Sequence, residues 1–369
     1  MDATKIFIIQ TAFIGDALLT VPLLRRIRKL YPEAEITFLC RKGLAQVFTK
    51  LKLVNKTIEF DKQKTNEWDA IQDRVTKDSY DLIISPHQSF RSEMLVRKMA
   101  AKIKIGYKKW WNFFVFNKRV VRPMYFPEPL RLMALLEPID PEMEKTLKEL
   151  RKEKQFFNSK EQGTVNFTRD PEIPPILSAK LEKLNLVDEE SAIDKLVKDF
   201  NLQTYRLILL APGSVWNTKK WTANGFSELA KQLQQNGYQI ALLGSESETE
   251  DCNAIAQQVP NVVNLAGKTS LLESLVLMNR SALLVSNDSG AAHLAALVGL
   301  KTISIFGPTV LDLGYRPWNN LCIVNQVPLK CRPCGKHGGD RCPIGTHECM
   351  KSVNPTNVLV NAEKLLNKL

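Results

Sequence analysis

The chain has 369 residues and a net charge of +12, and 44% of its residues are hydrophobic. This composition is that of a globular protein with room for two domains, and no run of about 18 uncharged apolar residues suggests a membrane-spanning helix. The N-terminal segment, MDATKIFIIQTAF, lacks the basic flank and long apolar run of a secretory signal. We therefore expect a cytoplasmic protein whose seven cysteines are reduced unless they hold a metal.

The first 45 residues predict a strand, a turn, a helix and a second strand. The strand covers 5–9, the helix covers 16–30 and ends at Tyr31-Pro32, and the next strand covers 36–40. This order is typical of the start of a parallel sheet. Further strands are predicted at 56–60, 82–85 and 104–106.

Residues 91–131 hold most of the excess positive charge. This segment contains eleven Lys or Arg and two Glu, a net charge of +9 out of the total of +12. Eight aromatic residues fall between Tyr107 and Phe126. Basic residues interleaved with aromatic ones indicate a nucleic acid, an anionic membrane or an acidic substrate. A solvated face beside ordinary core aromatics is the alternative interpretation.

The second half of the chain predicts another parallel sheet. Residues from about 138 to 205 are charged and helix-prone, with a proline-containing stretch at 170–175, and suggest a linker or insertion. Beyond Arg206 every predicted strand ends in small or turn-forming residues, as expected where ligands approach the carboxyl ends of strands. The predicted elements are strands at 207–211, 239–243 and 262–265 and helices at 223–235 and from Leu271.

The segment from Leu283 to Thr309 is the most informative for function. It predicts a strand, the turn Asn287-Asp288-Ser289-Gly290, a helix of small residues and a second strand. Free N–H groups at the start of such a helix attract phosphate, and His293 in its first turn can reach the same ligand. The alternative is that Asp288 or Ser289 only caps the helix.

Two common nucleotide motifs are excluded. Residues 266–270 resemble the end of a Walker A loop, but the earlier glycine is replaced by Val262. The first strand is not followed by G-x-G-x-x-G, which argues against a dinucleotide dehydrogenase. The chain also has no Asp-x-Asp motif, a common site for a divalent ion that binds a diphosphate.

Four segments together resemble glycosyltransferase family 9, the lipopolysaccharide heptosyltransferases, and within it the heptosyltransferase II-type branch. They are AFIGD at 12–16, APGS at 211–214 with KKW at 219–221, NDSGAAH at 287–293 and FGPT at 306–309. The resemblance implies a GT-B fold, with two Rossmann-like α/β domains that face each other across a cleft. The implied domains are 1–185 for the acceptor and 200–352 for the nucleotide-sugar, with a helix in 353–369 that crosses back to the first domain.

The implied reaction transfers heptose from ADP-L-glycero-D-manno-heptose to the inner core of lipopolysaccharide, with inversion and without a cofactor. The resemblance makes Asp16 the general base, although a helix cap is its alternative role. It makes Lys220 the phosphate-binding lysine and leaves Lys219 undecided. The remaining implied residues are Ser214, Thr218, Asp288, Ser289, Gly290, Ala291 and His293 for the phosphates, and Glu246, Glu248, Lys268, Thr269, Ser270 and Leu271 for the adenosine.

The basic segment gains a specific interpretation from this resemblance. The implied acceptor is anionic and linked to lipid A, and Arg91, Ser92, Lys108 and Arg122 are the candidate contacts. Trp110, Trp111, Phe113 and Phe114 suggest peripheral contact with the inner membrane. A family 9 transferase with another ADP- or UDP-sugar and a GT-B epimerase remain alternatives. A nucleic-acid partner is not expected, because it leaves Asp16 and Lys220 without a role.

Four cysteines fall within 19 residues near the C-terminus, at Cys331, Cys334, Cys342 and Cys349. In a cytoplasmic protein this clustering suggests a structural zinc site, although the spacing is looser than in a standard zinc ribbon. Reduced or disulfide-paired thiols are the alternative interpretation. We expect a role in packing the C-terminal segment and not in catalysis.

Overall fold

The computed structural model describes residues 3–61, 64, 66–153, 165–166 and 173–367. The chain divides into two compact units. The first unit consists of Met1–Phe156 with Pro174–Ala179, and the second of Phe157–Ile173 with Lys180–Leu369. The predicted boundary at 185 differs from this division, and the proline-containing stretch at 170–175 lies partly outside the described residues. Within the described ranges, every helix is too short or too polar to cross a bilayer.

The first unit is a six-stranded parallel sheet with the order β3-β2-β1-β4-β5-β6. Its central strand is buried along most of its length because it carries the run Ile-Phe-Ile-Ile. The strands are β1 (Lys5–Gln10), β2 (Glu35–Arg41), β3 (Lys56–Phe60), β4 (Ser79–Ser85), β5 (Ala100–Tyr107) and β6 (Lys118–Val120). The helices are α1 (Ile14–Leu19), α2 (Val21–Leu30), α3 (Ala45–Lys50), α4 (Glu67–Val75), α5 (Phe90–Lys98), α6 (Glu128–Met133) and α7 (Pro141–Glu153).

The helix predicted over 16–30 is divided into α1 and α2, which meet at Thr20. Pro22 lies in the first turn of α2 and has no N–H to donate to a preceding carbonyl. The Thr20 hydroxyl donates instead to the backbone oxygen of Asp16 at 3.0 Å. The short strand β6 was not predicted, because its three residues include Lys118 and Arg119 and show no apolar run.

The second unit contains a seven-stranded sheet with the order β10-β9-β8-β11-β12-β13-β7. All neighbouring strands are parallel except β7, which pairs antiparallel with β13. The strands are β7 (Val165–Asn166), β8 (Leu207–Ala211), β9 (Gln239–Leu242), β10 (Val263–Asn264), β11 (Leu283–Asn287), β12 (Thr302–Phe306) and β13 (Cys322–Gln326). The helices are α8 (Val187–Asp199), α9 (Ala223–Gln235), α10 (Thr249–Ala256), α11 (Leu271–Arg280), α12 (Gly290–Val298), α13 (Glu348–Lys351) and α14 (Pro355–Leu366).

The strand order of each sheet reverses between two central strands. These are β1 and β4 in the first unit and β8 and β11 in the second. The six parallel strands of each unit follow the Rossmann order. In this order ligands bind beyond the carboxyl ends of the strands, near the point where the strand order reverses. The prediction of two Rossmann-like α/β units is confirmed. The fold therefore directs attention to the loops after β1, β4, β8 and β11.

The terminal helix α14 packs within the second unit, against α9 and β12. Its buried residues Val358, Ala362 and Leu365 join the same apolar cluster as the central strands of that unit. The Asn361 amide also donates to the side-chain oxygen of Asn325 at 2.9 Å. The second unit therefore covers the apolar face of α14, and the expectation that this helix crosses back to the first domain stays a prediction.

Candidate functional site

The loop after β11 leads directly into the N-terminus of α12. Ser289 occupies the position before the helix with an extended backbone, and its hydroxyl makes no capping hydrogen bond. The Asp288 carboxylate accepts hydrogen bonds from the Lys219 ammonium at 2.6 Å and from the Thr309 hydroxyl at 2.7 Å. The interpretation of Ser289 as an ordinary cap therefore gains no support, and the start of the helix lies beside a partly buried cation and a buried carboxylate.

The two neighbouring lysines point to different partners. Lys219, whose side chain is 13% exposed, pairs with Asp288 beside α12. Lys220 pairs instead with Asp251 of α10 at 2.8 Å. Lys219 ends a short 3₁₀ helix and Lys220 is extended, so their side chains leave the backbone in different directions. The structure thus brings Lys219 to the predicted phosphate site and not Lys220, in contrast to the sequence-based assignment.

His293 lies in the first turn of α12 and is buried, with 6% of its surface exposed. Its Nδ1 atom is buried without a hydrogen-bond partner among the described residues. Burial lowers the pKa of His293 to about 4. The charge of Asp288 opposes this shift, and the charge of Lys219 adds a smaller lowering. The imidazole is therefore neutral at pH 7 and retains a ring nitrogen that a ligand can satisfy.

Asn287 holds three loops of the site together. Its buried side-chain oxygen accepts from the backbone N–H of Trp221 at 2.9 Å, and its amide donates to the Pro212 carbonyl at 2.7 Å. Ser214, also buried, accepts from the backbone of Trp216 at 3.4 Å. The APGS, KKW and NDSGAAH segments are thus assembled by one amide, a role that the sequence did not reveal because its partners are 66 and 75 residues away.

Thr218 is fixed by the cysteine-containing loop. Its backbone N–H donates to the Gly339 carbonyl at 3.0 Å, and its hydroxyl donates to the same oxygen at 2.7 Å. That hydroxyl accepts from the Gly339 N–H at 2.8 Å, and the His347 ring donates to the Thr218 carbonyl at 2.8 Å. The predicted phosphate-binding hydroxyl is therefore engaged within the protein. Its visible role is to hold the backbone next to Lys219.

The cysteine-containing loop, residues 331–349, contains no disulfide, and all seven cysteines of the chain are free thiols. Cys334, Cys342 and Cys349 line one cavity together with Thr218 and His347. Backbone N–H groups, first that of His347, lower the pKa of Cys342, whereas burial raises the pKa of Cys349 to about 11. In the described part of the chain, no three His, Cys, Asp or Glu side chains are arranged to hold a metal ion. The structural zinc site stays a prediction.

The predicted adenosine-side residues lie beyond β9 and β10. Glu248 accepts from the N–H and hydroxyl of Ser245, and Ser270 forms a reciprocal cap with Glu273 at the start of α11. Glu246 is exposed and lies against Gly267, whose Cβ position would be 3.5 Å from the Glu246 Cα. Of the other predicted residues, Thr269 shares a hydrogen bond with Ser274, Lys268 donates to the Asn264 carbonyl, and Leu271 begins α11.

In the first unit, Asp16 lies in the first turn of α1, directly after the loop that follows β1. The N-cap position belongs to Phe13, so Asp16 is not the N-cap residue. The Arg41 guanidinium lies 4.8 Å from the centre of the Phe13 ring. In the same region Thr11 and His87, at the ends of β1 and β4, share a hydrogen bond of 3.0 Å. Neither His87 nor Thr11 was predicted, because no motif in the sequence contains them.

The predicted acceptor residues differ in their accessibility. Ser92 is fully buried, and its hydroxyl contacts the Ser89 hydroxyl and the His87 ring at 2.9 Å each. Its hydroxyl is therefore engaged within the protein, and its assignment as an acceptor contact stays a prediction. Arg91 and Lys108 are exposed. Arg122 is partly buried and pairs with Glu128 at 2.5 Å.

Residues 68–341 match the family model of glycosyltransferase family 9 (heptosyltransferase), which is well over half of the chain. The chain belongs to glycosyltransferase family 9. The sequence-based resemblance is confirmed, and with it the enzyme class, a glycosyltransferase.

The relatives of this family 9 chain include enzymes matched over all or part of their length. It is 24% identical over 376 residues to lipopolysaccharide heptosyltransferase 2 of Salmonella typhimurium, covering 99% of both chains. It is 34% identical over 168 residues to lipooligosaccharide heptosyltransferase 2 of Campylobacter jejuni, a match that covers 44% of this chain and about half of that enzyme, 51%. The solved structure of Escherichia coli ADP-heptose LPS heptosyltransferase II superposes with a TM-score of 0.71 at 24% identity, covering 98% of both chains. The GT-B fold is thereby confirmed.

Proposed function

We propose that this family 9 protein transfers a heptose from ADP-L-glycero-D-manno-heptose to the inner core of lipopolysaccharide. The observation that carries the proposal is the Lys219–Asp288 pair beside the uncapped N-terminus of α12. The full-length relatives named as lipopolysaccharide heptosyltransferases support the substrate class. The donor comes from the likeness to an enzyme described as an ADP-heptose LPS heptosyltransferase.

The second unit binds the donor diphosphate in this proposal. Lys219 supplies a charged donor, and the N–H groups of Gly290 and Ala291 supply neutral donors at the positive end of a helix dipole. Negative charge grows on the diphosphate as the bond to the sugar breaks, so fixed positive charge at that position lowers the barrier. The neutral ring of His293 adds a hydrogen bond without adding charge. These groups stabilise the leaving diphosphate without a metal cofactor.

Asp16 acts as the general base in the first unit. Its carboxylate removes the proton from the acceptor hydroxyl while the hydroxyl oxygen attacks the anomeric carbon of heptose. The bond between that carbon and the diphosphate oxygen breaks on the opposite face, and ADP leaves. One displacement of this kind inverts the anomeric configuration. Asp16 lies at the carboxyl end of β1, where the Rossmann order places ligands.

The acceptor is anionic and linked to lipid. We assign its phosphates or carboxylates to the exposed Arg91 and Lys108, with Arg122 as a partly buried neighbour paired with Glu128. Arginine and lysine both bind such groups, and arginine does so with two parallel hydrogen bonds. A lipid-linked acceptor of this kind is met at the cytoplasmic face of the inner membrane.

Calorimetric titration of the purified protein with ADP and with UDP, each with and without EDTA, tests the donor. Preferential binding of ADP that EDTA does not alter is the expected result. Preferential binding of UDP would keep the family and replace the donor by another nucleotide-sugar. The transfer itself is tested with ADP-heptose and a heptose-deficient core acceptor, and donor turnover without glycosidic product would favour an epimerase.

A further inference from the structure

The structure shows an unusual concentration of exposed apolar side chains in the first unit. Among the described residues, twelve large hydrophobic side chains are exposed, and seven of them lie between Phe90 and Tyr125. Trp110 is 90% exposed, and Phe90 and Phe113 are 66% exposed. Exposed apolar groups in one segment, with charged groups around them, mark a surface that contacts another molecule.

Four aromatic rings form a chain of contacts on this surface. The ring of Trp111 lies 5.4 Å from Phe90 and 6.2 Å from Phe114, and Phe114 lies 5.4 Å from Phe113. Trp110 is adjacent in sequence and almost fully exposed. We call these five residues, Phe90, Trp110, Trp111, Phe113 and Phe114, the aromatic surface.

The backbone that carries these rings is held firmly. Asn112 is fully buried, and its amide donates to the Tyr107 carbonyl at 2.8 Å and to the Glu93 carboxylate at 3.2 Å. Glu93 also pairs with Lys109 at 2.6 Å, and the Asn112 oxygen accepts from the Lys109 backbone at 3.0 Å. The loop therefore presents its rings outward from a fixed position, so they do not have to be ordered when a partner binds.

Positive charge surrounds the aromatic surface. The Arg97 guanidinium lies 4.8 Å from the centre of the Phe114 ring, and the Lys109 ammonium lies 5.5 Å from the Trp111 ring. Further exposed basic residues of the same segment are Arg91, Lys98, Lys108, Lys118 and Arg119. Aromatic rings that enter the headgroup region and cations that attract anionic lipid are the combination found in proteins that lie on a membrane surface.

We propose that the aromatic surface and its surrounding cations dock this protein on an anionic lipid bilayer. Charge complementarity selects this occupant. A second copy of the chain would bring two strongly positive surfaces together in a symmetric dimer, which repels. The same segment also exposes Met124 and Val121, side chains on which nucleobases do not stack, which disfavours a nucleic acid. The inference goes beyond the proposed transfer reaction and is testable without it.

The test is co-sedimentation of the full-length protein with vesicles of phosphatidylglycerol and phosphatidylcholine in a ratio of about 3:7, and with pure phosphatidylcholine, both without lipopolysaccharide. We expect binding to the anionic vesicles and at least about tenfold weaker binding after Trp110→Ser with Phe113→Ser. The matched control is Val187→Ser with Tyr205→Ser, two exposed apolar residues of the second unit, which leaves binding unchanged.

A second pair of variants separates charge from apolar contact. Arg97→Gln is expected to weaken binding to the anionic vesicles about fivefold, since each basic residue near such a surface contributes about that factor. Lys148→Gln, an exposed lysine on α7, leaves it unchanged. Failure of the wild-type protein to bind anionic vesicles would overturn the proposal. The proposal is also overturned if the wild-type protein forms a dimer that the variant Trp110→Ser with Phe113→Ser dissociates. It is overturned as well if the wild-type protein binds single-stranded DNA and this variant does not.

The lipid-free core oligosaccharide separates this proposal from the transfer activity. The Trp110→Ser and Phe113→Ser variant is expected to glycosylate that acceptor at the wild-type rate, because neither residue is assigned to the donor or acceptor site. An enzyme that binds vesicles but transfers no heptose would contradict the proposed function and leave the docking surface intact.

Discussion

The Lys219 ammonium lies 2.6 Å from the Asp288 carboxylate, and Thr309 donates to the same oxygen at 2.7 Å. The pair links the loop after β8 to the loop after β11. The strand order of the second sheet reverses between these two strands. Because Asp288 immediately precedes the uncapped start of α12, Lys219 is held where a diphosphate would meet the N–H groups. Lys220, one residue later, is paired elsewhere with Asp251.

This difference predicts unequal effects of two neighbouring substitutions. Lys219→Ala is expected to weaken ADP binding about 10- to 100-fold, because a charge-assisted hydrogen bond to phosphate is lost. Lys220→Ala should change ADP affinity by less than about twofold, since surface ion pairs contribute little. Calorimetric titration of both variants measures the effect, and the reverse order would place the diphosphate beside Lys220.

Removal of the proposed base should separate binding from chemistry. Asp16→Asn keeps the size of the side chain but cannot accept the proton, so the transfer rate should fall by about 10²- to 10⁴-fold. ADP affinity should be unchanged, because Asp16 acts on the acceptor. Asp69→Asn, an exposed acid of α4, is the control for loss of one carboxylate. Wild-type turnover of Asp16→Asn would remove this residue from the mechanism.

The buried His293 predicts a pH dependence of stability. Its pKa is about 4 in the folded protein and near its ordinary value of 6.5 when unfolded. Between these values the unfolded chain binds a proton that the folded protein does not, so stability is full above about pH 6.5 and falls toward pH 4. The loss amounts to about 3 kcal/mol. Denaturant titrations from pH 4 to 7 of wild type and His293→Gln measure it, and parallel curves for the two proteins would contradict the assignment.

Thr218 is predicted to position Lys219 through its hydrogen bonds with Gly339. Thr218→Val keeps the shape but removes the hydroxyl, and leaves the Gly339 N–H without its partner. We expect ADP affinity to fall about three- to tenfold. Thr218→Ser restores the hydroxyl and should restore the affinity. Wild-type ADP affinity of the valine variant, which keeps the methyl group and lacks only the hydroxyl, would show that the hydrogen bonds with Gly339 do not position Lys219.

Chelation tests the absence of a catalytic metal and the zinc prediction together. Dialysis against EDTA should leave the transfer rate unchanged, because Lys219 and the start of α12 provide the positive charge for the diphosphate. A loss of activity restored by a divalent ion would contradict this. Zinc analysis of the protein before and after dialysis, with the melting temperature of each sample, shows whether Cys331, Cys334, Cys342 and Cys349 hold a structural ion.

Local patterns were sufficient to predict the parallel sheets and the loops that matter. Apolar strand runs followed by small residues mark the positions at which β8, β9 and β11 end, because each strand and the turn after it are encoded by neighbouring residues. The motifs NDSGAAH and AFIGD identified the family for the same reason. The predicted single helix over 16–30 was divided because Pro22 interrupts the hydrogen-bonding pattern that periodicity alone does not test.

The sequence by itself determined the Rossmann-like fold, the family and the turn that precedes α12. Only the tertiary structure decided which of two adjacent lysines reaches Asp288, that Ser92 is buried, and which core the apolar face of α14 joins. Lys219 and its partner Asp288 are 69 residues apart in the sequence. The other two outcomes depend on which apolar surfaces pack against each other. Side-chain direction and long-range burial are set by packing across the sheet, and no local spacing encodes them.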